Sequence, residues 1–304
     1  MRKLIWSLTL SLSVLGMRAG WCKPLAFSTP EEAVKALTHA LAAKDEKPLE
    51  NLFGPEVQKI LDPSPELRKE SRRLVQILLK ERWKLSYLDD NRKLLRLGKE
   101  GWPFPVTLFK SADGWKFDTS AGIEEVRNRR IGTNELVNLE TLTCIMLAEE
   151  DYYRRDANMD GVREYSSSFW SSTGKHDGLY WDVKPNQLVS PLETALKDSA
   201  SYSRQRARGT PWWGYRYRFL SGQGSHAAGG AFDYKVNGFQ VAGWAVIAYP
   251  VSHASSGYKT FICNQNGAVY QKDLGVDTRS LAEQITVFDP GNGWELVDPE
   301  DLPR

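Results

Sequence analysis

Residues 231–275, AFDYKVNGFQVAGWAVIAYPVSHASSGYKTFICNQNGAVYQKDLG, constrain the fold more than any other stretch of the chain. They predict four consecutive antiparallel strands. The first, Ala231 to Val236, runs into Asn237-Gly238, a pair that tolerates the positive φ a tight hairpin needs. The second is Phe239 to Tyr249, ended by Pro250, which cannot donate to a ladder. Tyr258 to Cys263 is the third. After an Asn266-Gly267 turn, Ala268 to Asp273 is the fourth. Along the second strand, Phe239, Val241, Ala245, Ile247 and Tyr249 point one way, and Gln240, Ala242, Trp244, Val246 and Ala248 the other. Neither set is polar throughout, so both faces of the sheet expect a cover. Trp212 to Phe219 is read as the start of this sheet, and Gly222 to Gly230 as a flexible connection carrying His226.

The N-terminal half has a different order. Thr29-Pro30-Glu31-Glu32 is a helix start, with Thr29 as cap, Pro30 in the first turn and Glu32 closing a capping box. Val34, Leu37, Ala40 and Leu41 form the buried stripe. A second helix begins near Pro48 with Leu49, Leu52 and Phe53 and stops at Gly54-Pro55. A third runs from about Pro65, with Leu67, Leu74, Ile77 and Leu78 as its apolar face. The period then shortens: Trp83–Leu88, Lys93–Leu97, Phe104–Lys110 and Trp115–Asp118 read as strands. Helices followed by an antiparallel sheet make an α+β domain over 27–120. In element order it resembles the cystatin-like arrangement of nuclear-transport-factor-like domains, whose cone can hold a small molecule.

A short linker helix is expected over 121–132, broken at Ile131-Gly132-Thr133-Asn134. A new helix then runs from Glu135 to about Tyr153, with Leu136, Leu139, Leu142, Ile145 and Met146 inward. It opens a second α+β domain, 133–298, in which the long helix covers a four- to five-stranded antiparallel sheet. Behind it, Asp156, Asn158 and Asp160 alternate before Gly161, and Glu164 follows, like the first half of an EF-hand loop. The twelfth position is Ser167, so the bidentate glutamate is missing. If a metal binds, these four residues are its expected ligands and calcium its expected identity; otherwise the segment is a polar turn closed by its own side chains. No other cofactor is expected.

Lys175, His176 and Asp177 are adjacent in a turn-rich region, 166–191, and His226 lies in a glycine-rich loop. None sits in a GxSxG, HExxH or Cys-His signature. A basic, flexible loop is expected over 199–211. Cys144 and Cys263 lie in a helical and a strand pattern. They read as two buried thiols, or as a disulfide if the helix crosses the sheet at that point.

Met1-Arg2-Lys3 followed by LIWSLTLSLSVLG reads as a secretory signal peptide over 1–22, with no membrane span after its cleavage. The formal net charge is only +2, and the chain lacks the basic stripe that neutralising phosphates requires. Nucleic acid is therefore not an expected partner.

The segments FSTPEEAVKAL, GWPFPV, GWKFDTSAG, RRIGTNEL, DANMDGVREY, GKHDGLYW, FDYKVNG and GAVYQKDLG together resemble the secreted bacterial family catalogued as domain of unknown function 2950. That resemblance implies export and a two-part fold, and carries no catalytic residue across. The long helix, variable loop and antiparallel sheet also resemble the globular head of type IV pilins and type II secretion pseudopilins. The expected role is an exported, non-enzymatic envelope protein, periplasmic or extracellular, that binds another protein or a surface polymer. The alternatives are an envelope hydrolase with a site near His176, Asp177 and His226, and a small-molecule binder using the N-terminal cone.

Overall fold

The computed structural model describes residues 24–61, 64–183, 188–196 and 210–302. The expected signal segment 1–22 and all but the last two residues of the basic loop 199–211 lie outside them. The chain forms two compact units, residues 1–126 and 127–304, and it is α+β as expected.

In the first unit, Thr29 caps α1 (Pro30–Ala42), its hydroxyl accepting the Glu32 N–H at 3.2 Å. The Glu32 carboxylate reaches back to the Ser28 N–H at 3.1 Å, one residue earlier than in the standard box. The predicted stripe of Val34, Leu37, Ala40 and Leu41 is buried. Helix α2 (Lys47–Phe53) ends at Gly54, and α3 spans Pro65–Glu81. A five-stranded antiparallel sheet follows: β1 (Trp83–Asp89), β2 (Arg92–Leu97), β3 (Trp102–Pro103), β4 (Leu108–Ser111) and β5 (Gly114–Phe117), in the order β1-β2-β4-β5 with β3 beside β2. Burying these side chains contributes about 1.5–3 kcal/mol each.

The third helix corrects the sequence reading. Leu67, Leu74 and Ile77 are exposed, the first two by 55% and 53%, and only Leu79 is fully buried. The reason lies at the end of α1, whose last carbonyls have no partner within their own helix. Arg72 donates to Ala43 O and Asp45 O at 3.2 Å, and Gln76 donates to Leu41 O. Arg68 pairs with Glu46 at 2.7 Å. Residues 68, 72 and 76 share one face, so these polar side chains turn inward and the leucines turn out.

The expected break at 131–134 is also absent. One continuous helix, α4, spans Thr119–Arg155. A glycine inside a helix costs about 1 kcal/mol relative to alanine and need not end it. Here Ile131 is buried on one side of Gly132, and on the other Asn134 donates to Ser256 O at 2.8 Å. At the next residue, the Glu135 carboxylate accepts the Tyr258 and Lys259 N–H groups. Leu136, expected inward, is exposed, whereas Leu139, Leu142 and Ile145 are buried.

After α5 (Pro191–Leu196) come β6 (Tyr215–Leu220), β7 (Gly222–Gln223), β8 (Phe232–Asp233), β9 (Ala245–Pro250), β10 (Lys259–Asn264) and β11 (Val269–Asp273). Helix α6 (Thr278–Gln284), β12 (Val287–Phe288) and β13 (Glu295–Leu296) complete the described fold. The main sheet has the order β13-β11-β10-β9-β6, all antiparallel, and β12-β7-β8 form a small second sheet. The predicted Phe239–Tyr249 strand is shorter, beginning at Ala245. Asn237 (φ 52°) and Gly238 (φ 91°) do make the tight turn, between bridged Val236 and Phe239. That hairpin carries little sheet because Tyr165 N–H donates to Gln240 O, taking up a backbone acceptor a strand neighbour would use.

Every residue of β9 is buried. On one face Val246, Ala248, Phe261 and Cys263 pack with α4 residues Leu142 and Ile145. On the other, Ala245, Ile247, Tyr249 and Ile262 pack with Tyr234, Ala282 and Phe288. The chain supplies the second cover itself, from β8 to β12. Cys144 and Cys263 are both buried free thiols, without a disulfide. The Cys144 thiol donates instead to Ala195 O at 3.3 Å.

Candidate functional site

The motif after α4 folds into a closed loop. Asp156 takes φ 45° and Met159 φ 60°, so the chain reverses sharply. The Asn158 amide donates to Glu164 Oε1 at 2.8 Å and to Asp160 Oδ2 at 3.1 Å, so these three side chains converge. Asp160 Oδ1 accepts the Val162 N–H, and Asp156 Oδ2 accepts the Gly161 N–H at 3.0 Å. The other Asp156 oxygen is buried without a partner. Glu164 Oε2 accepts the Gln240 N–H at 2.7 Å, tying the loop to the 236–241 hairpin. Among the described residues, no three His, Cys, Asp or Glu side chains cluster closely enough to hold a metal by themselves. The atoms that meet are two carboxylate oxygens and the Asn158 amide nitrogen, while the Asn158 amide oxygen accepts the Asp160 N–H at 3.4 Å; carboxylate oxygens suit a hard cation. In the structure the Asn158 amide holds the two carboxylates together, and the orphaned Asp156 oxygen is the atom a cation would satisfy.

Behind this loop sits a group the sequence reading passed over. Glu149, on α4, is fully buried; its Oε2 accepts the Ser166 N–H at 2.9 Å and its Oε1 has no partner. Burial pushes its carboxyl well above the ordinary range. Its spacing was a signal: Glu149 lies four residues after Ile145 and three before Tyr152, on the inward stripe.

The residues of the hydrolase alternative do not converge. The His176 ring stacks on Trp181, centroids 4.2 Å apart, and its carbonyl accepts the Tyr152 hydroxyl at 2.9 Å. Asp177 Oδ1 accepts the Ser172 N–H at 2.6 Å; that bond, above all, holds its carboxyl below the ordinary range. Gly178 closes the loop because a side chain there would strike the Trp170 backbone. Trp181 and Tyr152 belong to the core on the α4 face of the sheet.

His226 belongs to the other face, next to Ala227. Its Nδ1 lies 3.0 Å from Asp289 Oδ2, and its backbone N–H donates to Asp289 Oδ1 at 2.8 Å. The Gly222–Gly230 connection is thereby anchored, and Gln223 fixes it further by donating to Ala228 O and Gly230 O. His253 is held likewise, its Nε2 2.9 Å from Asp273 Oδ1. Each histidine–carboxylate pair pins a loop to the sheet.

In the first unit, Phe117 packs against Phe53 and Phe104 with centroids 5.0 and 6.4 Å away, and Leu37, Leu95 and Val106 are fully buried in the same cluster. These side chains belong to the hydrophobic core of the first unit.

Over residues 25–297 the chain matches the family described as Protein of unknown function (DUF2950), and it belongs to that family. No curated protein and no solved structure matches significantly.

Proposed function

We propose that this family member is an exported, non-enzymatic protein of the cell envelope, periplasmic or extracellular, that binds another protein or a surface polymer. Export rests on the charged start and short apolar run of residues 1–22. No helix among the described residues is long and apolar enough to cross a membrane. The pilin-head-like order of the second unit, and the cystatin-like order of the first, support a binding scaffold in which loops carry recognition.

The observation that carries binding is the 232–241 hairpin. Phe232, Val236, Phe239 and Val241 are all exposed on it, while Gln240 is buried and donates to Gly243 O. The large apolar side chains face solvent because the polar one is used for anchoring. Such a cluster is an anchor for a partner. The neighbouring Asp156, Asn158, Asp160 and Glu164 loop takes calcium in this reading, and the ion stiffens the hairpin through Glu164 and Gln240.

Capture from an envelope extract with the protein lacking residues 1–22 tests the proposal. Phe239→Glu is expected to lose the captured species while keeping the native circular dichroism. Identical capture by both proteins would refute the hairpin as the anchor. Titration calorimetry with millimolar calcium tests the loop, and absence of heat leaves it a plain turn.

A further inference from the structure

The first unit opens a cleft of about 480 Å³ beside the β1–β2 turn. None of the residues lining it belongs to the core of that unit. Asp89 to Asn91 form one wall, Arg92 and Phe109 stand side by side as ladder partners on β2 and β4, and Asp118 completes the lining just before α4. The chain's own bonds fix these walls. Asp89 accepts the Asn91 N–H at 2.9 Å and the Arg92 Nε–H at 2.7 Å. The Lys110 N–H donates to Asn91 O at 2.8 Å, which ties the turn to β4. The Asp118 N–H donates to Thr107 O at 2.8 Å, and Asp118 Oδ1 accepts the Ala121 N–H at 3.0 Å. Among the described residues, the Arg92 Nη groups, Asp118 Oδ2 and the Asn91 side-chain amide are left without a protein partner. Arg92 lies near enough to Asp118 to feel its charge, yet its ion pair is with Asp89. The cleft therefore offers donors and acceptors that do not satisfy one another, beside the half-buried ring of Phe109.

The lining narrows the chemistry of a ligand. Three carboxylates face two cations, Arg92 and Lys110. A phosphate would meet the carboxylates, and a bare cation would meet Arg92 and Lys110. A neutral ligand whose groups both donate and accept meets neither repulsion: a hydroxyl donates to Asp118 and another accepts from Arg92. A sugar ring also presents a face of C–H groups to Phe109. The volume lies within the usual range for ligand sites, and most of the lining is exposed, so a polymer can run on through the open side. A free amino acid would likewise pair with Arg92 and Asp118, but it would leave most of the volume empty, and ion pairs at so exposed a site contribute little. We propose that this cleft binds a short neutral stretch of a surface glycan, with Phe109 against a sugar ring and Arg92, Asp118 and Asn91 bonded to its hydroxyls. This rests on the envelope reading above and names a chemical class for its surface polymer. The cleft does not involve the 232–241 hairpin, so either site can fail alone.

Saturation-transfer NMR with the chain lacking residues 1–22 tests it. The probes are maltohexaose, cellohexaose, the hexamer of N-acetylglucosamine and yeast mannan, with free glutamate and inorganic phosphate for comparison. At least one neutral glycan should give transfer at millimolar concentration, and glutamate and phosphate none. Arg92→Ala removes an exposed side chain and should weaken that glycan at least about tenfold, the effect of losing a hydrogen bond to a charged group. Phe109→Leu keeps an apolar residue in β4 and should weaken it as well; native circular dichroism in both variants ties the loss to the cleft. Phe239→Glu, the variant that probes the hairpin, should bind the glycan like the parent. Absence of transfer from every glycan would overturn the proposal. So would glycan binding that survives Arg92→Ala, or a preference for glutamate or phosphate.

Discussion

Replacing Glu149 by glutamine should change stability by an amount that shifts in the variant's favour as pH rises. The carboxyl is fully buried and its pKa lies above the ordinary 4.5 because burial penalises the charged form; the Ser166 N–H offsets only part of this. Below pH 4.5 folded and unfolded chains both hold the proton, and the group imposes no linkage cost. Above it the unfolded chain releases the proton while the folded chain keeps it. Folding then loses about 1.4 kcal/mol per pH unit until the raised folded pKa is reached. Two units of pH correspond to about 2.7 kcal/mol, a large part of the 5–15 kcal/mol typical of a whole protein. Glutamine keeps an oxygen for Ser166 but buries an unpaired amide, a pH-independent cost of about 1–3 kcal/mol. The variant is therefore less stable than the parent near pH 4.5 and gains on it as pH rises. Urea unfolding followed by tryptophan fluorescence at several pH values measures the difference, and equal m-values validate the comparison. A difference that stays flat from about pH 4.5 to 7 would show that Glu149 ionises in the folded state as readily as in the unfolded one, and would refute the linkage.

Three further expectations follow from the same packing. Burial, with the Glu140 charge second, pushes the Cys144 thiol to about 11, and burial raises Cys263 further, so both should resist a thiol reagent in the native chain lacking residues 1–22 and react on unfolding; reaction of either within the mixing time would contradict their burial. Burial alone would raise the Asp273 and Asp289 carboxyls, but bonds from Gly275 and His253, and from His226, outweigh it and hold both low. Their contribution is present above the unfolded value of 3.8 and lost as pH falls through the lower folded values, so amides of 224–230 and 251–257 should lose exchange protection first on acidification; uniform loss across the second unit would argue against local release. Gly178→Ala places a Cβ 2.5 Å from the Trp170 carbonyl carbon, and overpacking of that kind costs about 1–3 kcal/mol; an unchanged melting temperature would mean the 170–181 loop is free to move aside.

Elements set by neighbouring residues are legible in this sequence, and elements set by distant partners are not. The Thr29 cap, the Asn237-Gly238 turn and the strands of the first unit each follow from a few neighbouring residues. Helix α3 did not, because its inward face is chosen by the unpaired carbonyls of Leu41, Ala43 and Asp45, about thirty residues earlier. The long strand at Phe239 failed for a similar reason: Glu164 and Tyr165 hold Gln240 from seventy-five residues away. Glycine 132 looks like a stop until Asn134 and Glu135 are seen bonded to 256–259, which hold the helix on course. The site suffered most, since the Asp-rich motif was visible but Glu149 and Asp289 acquire meaning only from the groups folding brings against them.

The second cover of the sheet has a consequence for the order in which this protein can be made. Val287 and Phe288 pair in parallel with Gly222 and Gln223, and Ala282 and Phe288 close the face of β9 opposite α4. These residues leave a ribosome or a translocation channel after the strands they cover. Until they emerge, Ala245, Ile247 and Ile262 have no lid, so the second unit cannot complete itself from front to back. A chain stalled or clipped before residue 278 should present a sticky sheet rather than a smaller folded protein, making the arrival of residues 278–288 the step at which a quality-control protease and the native state compete.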